Sequence, residues 1–247
     1  MVEIFSIIMP AYNAEETIGE SIQSVLKQTF KDFKLYIVND GSIDNTHNII
    51  KNHVDPRIVY LESNGNSGVA DARNLAIKIS DGKYIAFLDA DDIWDEYKLE
   101  KQVHYFNEGF DVVCTNYKTF NPLFKEKPSI TRRSPKEITY HDMLKSNFIG
   151  NLTGAYNSEK LGKFYQKKIG HEDYVMWLGI MKKAKRAYCV QENLAYYRTS
   201  SSSLSGNKVK ALLWQWNIYR HEVKLSFFSS CYFFLCYIFY ALKKRKN

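Results

Sequence analysis

The first ninety-two residues alternate short apolar runs, each ending near polar residues, with apolar residues at helical spacing, though without an internal sequence repeat. Residues Ile4 to Met9 form the first run, stopped at Pro10. Asn13, with Glu16 three residues on, reads as a helix N-cap ahead of Ile18, Ile22, Val25 and Leu26. Leu35 to Val38 is a second predicted strand, followed by a helix from about Asp44 to Lys51. Ile58 to Leu61 is a third, and Val69 to Ile79 a helix closed by Asp81-Gly82. Tyr84 to Leu88 is a fourth, running directly into Asp89-Ala90-Asp91-Asp92. Strands and helices alternating through short connections predict an α/β fold whose mostly parallel, Rossmann-like sheet is flanked by helices. In such sheets ligands gather beyond the carboxyl ends of the strands. Tyr12-Asn13, Asp40-Gly41-Ser42 and Asp89 to Asp92 all stand at those ends.

The alternation weakens after residue 107. Asp111 to Thr115 reads as one more strand and Glu172 to Lys183 as a helix. Residues 121 to 136 carry Lys125, Lys127, Arg132, Arg133 and Lys136 among three prolines, and read as a basic loop. Residues 199 to 207 read as a Ser-rich loop. Leu225 to Leu242 has no charged residue and is followed by Lys243-Lys244-Arg245-Lys246. Its length is at the lower edge of a bilayer span. The aromatic content and basic flank favour a segment lying at a membrane interface, the alternative being a core helix.

Composition narrows the function classes. The N-terminus lacks the positive region of a signal peptide, which points to the cytoplasm. The four cysteines form neither a CxxC pair nor a zinc-finger spacing, in keeping with a reducing compartment. A formal charge of +7 suits anionic lipid or phosphorylated substrates. No nucleic-acid recognition motif accompanies it, so no nucleic-acid partner is expected. No GxGxxG follows a strand, which argues against a dinucleotide oxidoreductase. Pro10-Ala11-Tyr12-Asn13 occupies the place where a nucleotidyltransferase would be expected to carry a glycine-rich basic loop.

Four clusters carry candidate chemistry. Asp89 and Asp91 leave the sheet one residue apart, an arrangement suited to Mg²⁺ or Mn²⁺ shared with a diphosphate. Such acids also cap helices. Asp40 can accept the imide N–H of uracil, or simply belong to a tight turn at Gly41. Gly65-Asn66-Ser67-Gly68 permits close backbone approach at a helix N-terminus, where anions are favoured. Arg73 follows on that helix, as an anion ligand or a structural ion-pair partner. Glu172 and Asp173 open another helix, either as a general base for an acceptor hydroxyl or as first-turn acids favoured there.

Taken together, Pro10-Ala11-Tyr12-Asn13, Asn39-Asp40-Gly41-Ser42, Gly68-x-x-x-Ala72-Arg73-Asn74 and Phe87-Leu88-Asp89-Ala90-Asp91-Asp92 resemble the family 2 inverting glycosyltransferases in order and spacing. The likeness is tight over residues 3 to 115 and looser to about 200. There Glu172-Asp173-Tyr174-x-x-Trp177 and Tyr197-Arg198 match the family's later half. The bacterial enzymes that build O-antigen and other surface polysaccharides are the nearest in character. The resemblance implies a nucleotide-diphospho-sugar transferase (GT-A) fold. It implies a nucleotide-sugar-binding half at 1–115 and an acceptor and catalytic-base half at 116–207, with a membrane-associating tail at 208–247. It further implies Tyr12 and Asp40 at the uracil, Arg73 at the nucleotide and Asp89 at the ribose or donor sugar, with Pro10, Ala11 and Ala90 also in the nucleotide-sugar site. Asp91 would bind Mn²⁺ or Mg²⁺, Arg198 would steady a diphosphate, and Asp173 would be the base, with Glu172 the runner-up. The partners implied are a UDP-hexose donor and a lipid-diphosphate-linked sugar acceptor at the cytoplasmic face of the plasma membrane. The family usually has two acids before Gly-Ser; here the first is Asn39.

Overall fold

The computed structural model describes residues 4–121, 129–199 and 208–246. The first strands are β1 (Phe5–Ala11), β2 (Phe33–Asn39), β3 (Ile58–Glu62) and β4 (Tyr84–Phe87). They lie in the order β3-β2-β1-β4 and pair in parallel. Helices α1 (Ile18–Leu26), α2 (Thr46–Asn52) and α3 (Val69–Ile79) make the crossovers. Side-chain alternation sends each strand's residues to two cores. Phe5, Ile7 and Met9 of β1 join Leu35 and Ile37 of β2 beneath α1 and α2. Ile8, Tyr36, Val38, Ile85 and Phe87 face Ala72, Ala76 and Ile77 of α3. Burial on both faces is why these strands read as unbroken apolar runs.

Beyond β4 the sheet becomes mixed. The two-residue β5 (Ile93–Trp94) and α4 (Lys98–Asn107) lead to β6 (Val112–Phe120), which runs five residues past the expected end at Thr115. Residues 122–128 of the expected basic loop lie outside the described residues; Thr131–Arg132 forms β7, paired with β6 rather than looping free. Then come β8 (Glu137–Thr139), α5 (Tyr140–Lys145), β9 (Ala155–Asn157) and α6 (Ser158–Leu161). Helix α7 (Glu172–Ala184) and β10 (Arg186–Arg198) complete the ten-stranded sheet. Strand β9 lies antiparallel between β4 and β6, while β10 runs parallel to β6. Most of the Ser-rich loop, 200–207, lies outside the described residues.

One expectation needs correction. Helix α1 starts at Ile18, with Thr17 rather than Asn13 in the cap position. Asn13 instead adopts a left-handed φ of 45°, a conformation asparagine tolerates because its short amide bonds locally. Its backbone N–H donates to Ser42 Oγ (3.0 Å), and its Oδ1 accepts from the N–H of Ile43 (3.0 Å). The residue joins the loops after β1 and β2 instead of starting a helix.

The tail is helical, as expected. Helices α8 (Lys208–Asn217) and α9 (Phe227–Lys246) are joined through a π-helical turn, Ile218–Glu222. Among the described residues no helix is long and apolar enough to cross a membrane. The tail also packs on the domain. Phe233 and Ser230 are buried, the Phe233 ring meets His141 of α5 at 5.3 Å, and Tyr240 meets Phe148 at 5.4 Å. The apolar run is therefore explained in part by a core face.

Candidate active site

The chain leaves β1 toward β2 and β3, then returns to place β4 on β1's other side. That reversal opens a crevice at the carboxyl ends of β1 and β4. Pro10 marks the spot. On one side it pairs in register with Val38, whereas β4's pairing with β1 has already ended at Ile8. A residue with no N–H to donate is tolerated where the ladder has ended. Pro10 and Ala11 are buried, and Tyr12 emerges beyond them 46% exposed at the rim.

Asp40 lies behind this rim, 2% exposed. Its Oδ1 accepts from Ser63 Oγ (2.6 Å) and from Ser67 through both N–H (3.0 Å) and Oγ (2.7 Å). Its Oδ2 accepts the Gly68 N–H at 2.7 Å. Burial pushes this carboxyl's pKa up, but the serine hydroxyls and the two backbone donors outweigh it and hold the group below its ordinary value. Asp40 thus locks the start of α3. Gly41 takes φ 73°, and a Cβ there would stand 2.8 Å from the Gly65 backbone, so glycine is required for the two loops to touch. Asn39 donates from Nδ2 to Tyr60 Oη (3.1 Å) and accepts the Ser42 N–H (3.1 Å). An ionised aspartate there could not donate.

Arg73 reaches the crevice from the opposite wall. It is 6% exposed; Nη2 donates to Asp89 Oδ1 at 2.5 Å and Nη1 to Gln166 Oε1 at 3.0 Å. Burial disfavours its charge, yet the fields of Asp89, Asp173 and Glu172 hold the guanidinium above its ordinary value. Glu172 and Asp173, in the first turn of α7, are therefore within electrostatic reach of the Arg73–Asp89 pair. Asn74 clasps the backbone of Gln166 through both ends of its amide, at 2.8 and 2.9 Å, which carries the segment before α7 onto α3.

The loop after β4 is braced from two sides. Thr17 Oγ1 and Ser21 Oγ of α1 both donate to the Ala90 carbonyl at 2.9 Å. From the end of β10, Arg198 donates its N–H to Asp92 (2.8 Å), Nε to the Asp91 carbonyl (2.7 Å) and Nη2 to Glu20 (2.5 Å). Its guanidinium lies 4.7 Å over the Phe120 ring. Desolvation, reinforced by Asp89, raises the Asp91 carboxyl above its ordinary value. Asp92 is raised well above 3.8 by burial and by both neighbouring acids. Burial and the same three aspartates push the Tyr197 hydroxyl up to about 12.

The raised Asp92 pKa fixes a pH dependence. Between 3.8 and its raised folded-state value the folded state holds a proton that the unfolded state has released, so stability falls as pH rises through that window. An Asp92→Asn protein, melted without divalent cations, should gain on the wild type as pH rises from 4 through that window and hold a constant advantage above it. A constant difference across the window itself would count against this ionisation.

The structure thus gathers Arg73, Asp89, Glu172 and Asp173 on one side of the crevice and Ala90, Asp91 and Arg198 on the other, with Tyr12 and Asp40 at the loop ends. Gln166 and Glu20 were not foreseen. Gln166 lies in an irregular segment with no motif, and Glu20 is 178 residues from the arginine it holds. Among the described residues no group of three or more potential ligands surrounds a single metal position.

Residues 6–175 match the model of glycosyl transferase family 2. The UDP-Glc:alpha-D-GlcNAc-diphosphoundecaprenol beta-1,3-glucosyltransferase WfgD of Escherichia coli is 38% identical over 245 residues, covering 98% of this chain and 94% of its own. WfaP, an enzyme of the same description from Escherichia coli, is 36% identical over 219 residues, covering 87% and 85%. The crystal structure of Staphylococcus aureus TarS 1-349 in complex with UDP superposes with a TM-score of 0.74 at 20% identity, covering 95% of this chain and 70% of that one. The sheet order, the crevice at the strand reversal and these similarities agree on the GT-A fold, and the chain belongs to glycosyl transferase family 2.

Proposed function

We propose that this protein transfers a hexose, glucose in the first instance, from a UDP-sugar to an N-acetylglucosamine-diphosphate-polyprenol, inverting the anomeric carbon. The observation that carries this reading is the convergence of Asp89, Asp91, Arg73 and Asp173 on one crevice. The family and the donor and acceptor named for WfgD and WfaP support it. In this reading residues 1–115 hold the donor, with Tyr12 and Asp40 at the uracil and Asp89 at the ribose or donor sugar. Arg73, too buried to offer much surface, serves the nucleotide by fixing Asp89. Residues 116–207 hold the acceptor and the base.

Asp173 accepts the proton of an acceptor hydroxyl. That oxygen forms its bond to the anomeric carbon opposite the diphosphate, and the carbon–phosphate-oxygen bond breaks to release UDP. Arg198, fixed to the Asp91 loop, opposes the charge that grows on the leaving diphosphate. The crevice suits a hard divalent cation. Asp91 hydrogen-bonds no other side chain among the described residues and is raised by its acidic neighbour, a field that a cation would relieve. One carboxylate plus substrate phosphates is a usual Mg²⁺ donor set. Bound there by Asp91, Mn²⁺ or Mg²⁺ would supply Lewis-acid stabilisation of the departing UDP.

A lipid-linked acceptor calls for contact with the cytoplasmic membrane face. On α9, Phe228, Tyr232, Leu235, Phe239 and Leu242 are all exposed. Their spacing of i, i+4, i+7, i+11 and i+14 lines them along one side, ahead of the basic residues 243–246. This side would lie in the interface, with the lysines on anionic headgroups. The Leu235→Glu/Phe239→Glu protein should lose most co-sedimentation with phosphatidylglycerol vesicles; undiminished binding would remove α9 as the anchor.

The primary test is a donor screen. Purified protein with Mn²⁺ is given the common UDP-, GDP- and dTDP-sugars and a synthetic N-acetylglucosamine-diphosphate-lipid. A β-linked disaccharide-lipid from UDP-glucose alone is the expected product. Transfer to free N-acetylglucosamine as efficient as to the lipid would overturn the acceptor.

A further inference from the structure

The stretch of β6 that runs on past Thr115 carries Tyr117. Ala155, the first residue of β9, pairs with both Ala86 of β4 and Val113 of β6. The turn ahead of it, Gly150 to Gly154, therefore stands beyond the carboxyl end of β4 and alongside β6, at the crevice. Tyr117 packs on this turn from β6; a Cβ on Gly150 would stand 3.3 Å from its Cε1. Helix α7 packs on the same turn. The Trp177 indole fills the place that a Cβ on Gly154 would take, and its Nε1 donates to Asn151 Oδ1 at 3.3 Å. Asp173 lies one turn ahead of Trp177, on the same side of α7. One short turn of chain thus sets Tyr117 and Asp173 on two sides of a single opening.

The electrostatics agree with this placement. Burial raises the Tyr117 hydroxyl above its ordinary value, the field of Arg132 opposes this, and those of Asp92 and Asp173 reinforce it. Arg132 is the cross-strand neighbour of Tyr117 on β7. The hydroxyl therefore keeps its proton and can donate it. The half-buried ring is held edge-on against Tyr197 at 6.4 Å. Burial and charge alone act on the hydroxyl, and no hydrogen bond engages it among the described residues. Tyr36, Tyr174 and Tyr219 donate theirs to Asp81, Met143 and Leu144. Nor is the Tyr117 oxygen sealed in the core, as the unpartnered atoms of Asn151 and His171 are. A fixed ring with an open, unpartnered hydroxyl is one that a ligand can complete.

We infer that Tyr117 binds the acceptor sugar, its hydroxyl donating to a ring hydroxyl other than the one whose proton Asp173 accepts. The inference rests on the transferase reading above. The division of labour follows from the two groups. An ionised carboxylate only accepts, so Asp173 takes the reacting O–H. A phenol donating to that same oxygen would draw on the electrons that form the new bond, whereas on a second hydroxyl it only holds the ring. One contact leaves the sugar free to turn about the reacting oxygen. A second, fixed contact sets which hydroxyl meets the anomeric carbon. Tyr117 is in this way a determinant of linkage position, which the base alone does not impose.

The test uses the full chain with UDP-glucose, Mn²⁺ and a short-chain N-acetylglucosamine-diphosphate-lipid, alongside monodeoxy forms of that acceptor, each lacking one free hydroxyl. Tyr117→Phe removes one oxygen and keeps the ring on Gly150 and Tyr197. It should raise the acceptor KM about fivefold, the weight of one neutral hydrogen bond, with the KM for UDP-glucose unchanged. One deoxy acceptor should weaken the wild type by the same factor and weaken Tyr117→Phe no further. A purely structural role for the ring would instead weaken every acceptor alike. Calorimetric binding of the same acceptors reads the contact without turnover. If the wild type transfers sugar and no deoxy acceptor shows this non-additivity, the Tyr117 contact is refuted and the transferase reading stands. If binding shows the non-additivity but no sugar moves, the contact stands and the transferase reading falls. A wild type that neither binds nor glycosylates the acceptor overturns both.

Discussion

The Asp173→Asn protein should transfer sugar about 10²–10⁴-fold more slowly, the usual contribution of a positioned general base. Amide for carboxylate keeps the shape and removes the proton acceptor. Because Asp173 stands at the start of α7 and its charge acts on Arg73 from outside the Arg73–Asp89 pair, UDP binding should change little. The loss should therefore fall on kcat, with the donor KM close to normal. Glu172→Gln is the control. Both acids act on Arg73, but only Asp173 figures among the charges acting on Tyr117, across the crevice on β6. Glu172→Gln should be the milder change. If the two variants exchange ranks in a single-turnover assay, Glu172 is the base.

Asp91→Asn should be as damaging for a different reason. A divalent cation contributes several kcal/mol to stabilising a leaving diphosphate, which at 1.36 kcal/mol per decade is a loss of roughly 10³-fold. Transfer by the wild type should rise and saturate with Mn²⁺ and stop on chelation. The variant should show little response to Mn²⁺ at any concentration. Near-normal turnover would remove Asp91 as the ligand. The fold should survive, because the loop is held through backbone atoms: the carbonyls of Ala90 and Asp91 take the hydrogen bonds from α1 and Arg198.

The parallel half was legible because its strands are buried on both faces, so each shows as an unbroken apolar run with polar residues at its end. The crevice residues became visible with it, since they terminate those runs. The rest depends on distant parts of the chain. Strands β5, β7, β8 and β9 are two or three residues long and exist only because a neighbouring strand offers a free edge. The start of α1 was misplaced because Asn13 has two local uses, and the tertiary one prevailed. Gln166 carries no motif; its role follows from Arg73 and Asn74, some ninety residues earlier. The apolar tail was read as a membrane element from its lack of charge. Packing of Phe233 and Ser230 shows that one side of it serves the core, a division between faces that a uniformly apolar helix conceals.

Arg198 has a consequence for how the protein is made. It closes the loop at Asp91 across 107 residues and reaches Glu20 across 178. Contacts so remote in sequence form late, after loop-closure entropy has been met by the rest of the sheet. During synthesis the acidic turn after β4 leaves the ribosome long before its clamp exists. A nascent chain ending short of β10 would own all three aspartates and yet lack the bonds by which Arg198 holds Asp92 and the Asp91 backbone. The full bracing of this crevice is thus a property the chain acquires only once β10 has been made, and the appearance of UDP-sugar turnover would time the closing of the domain.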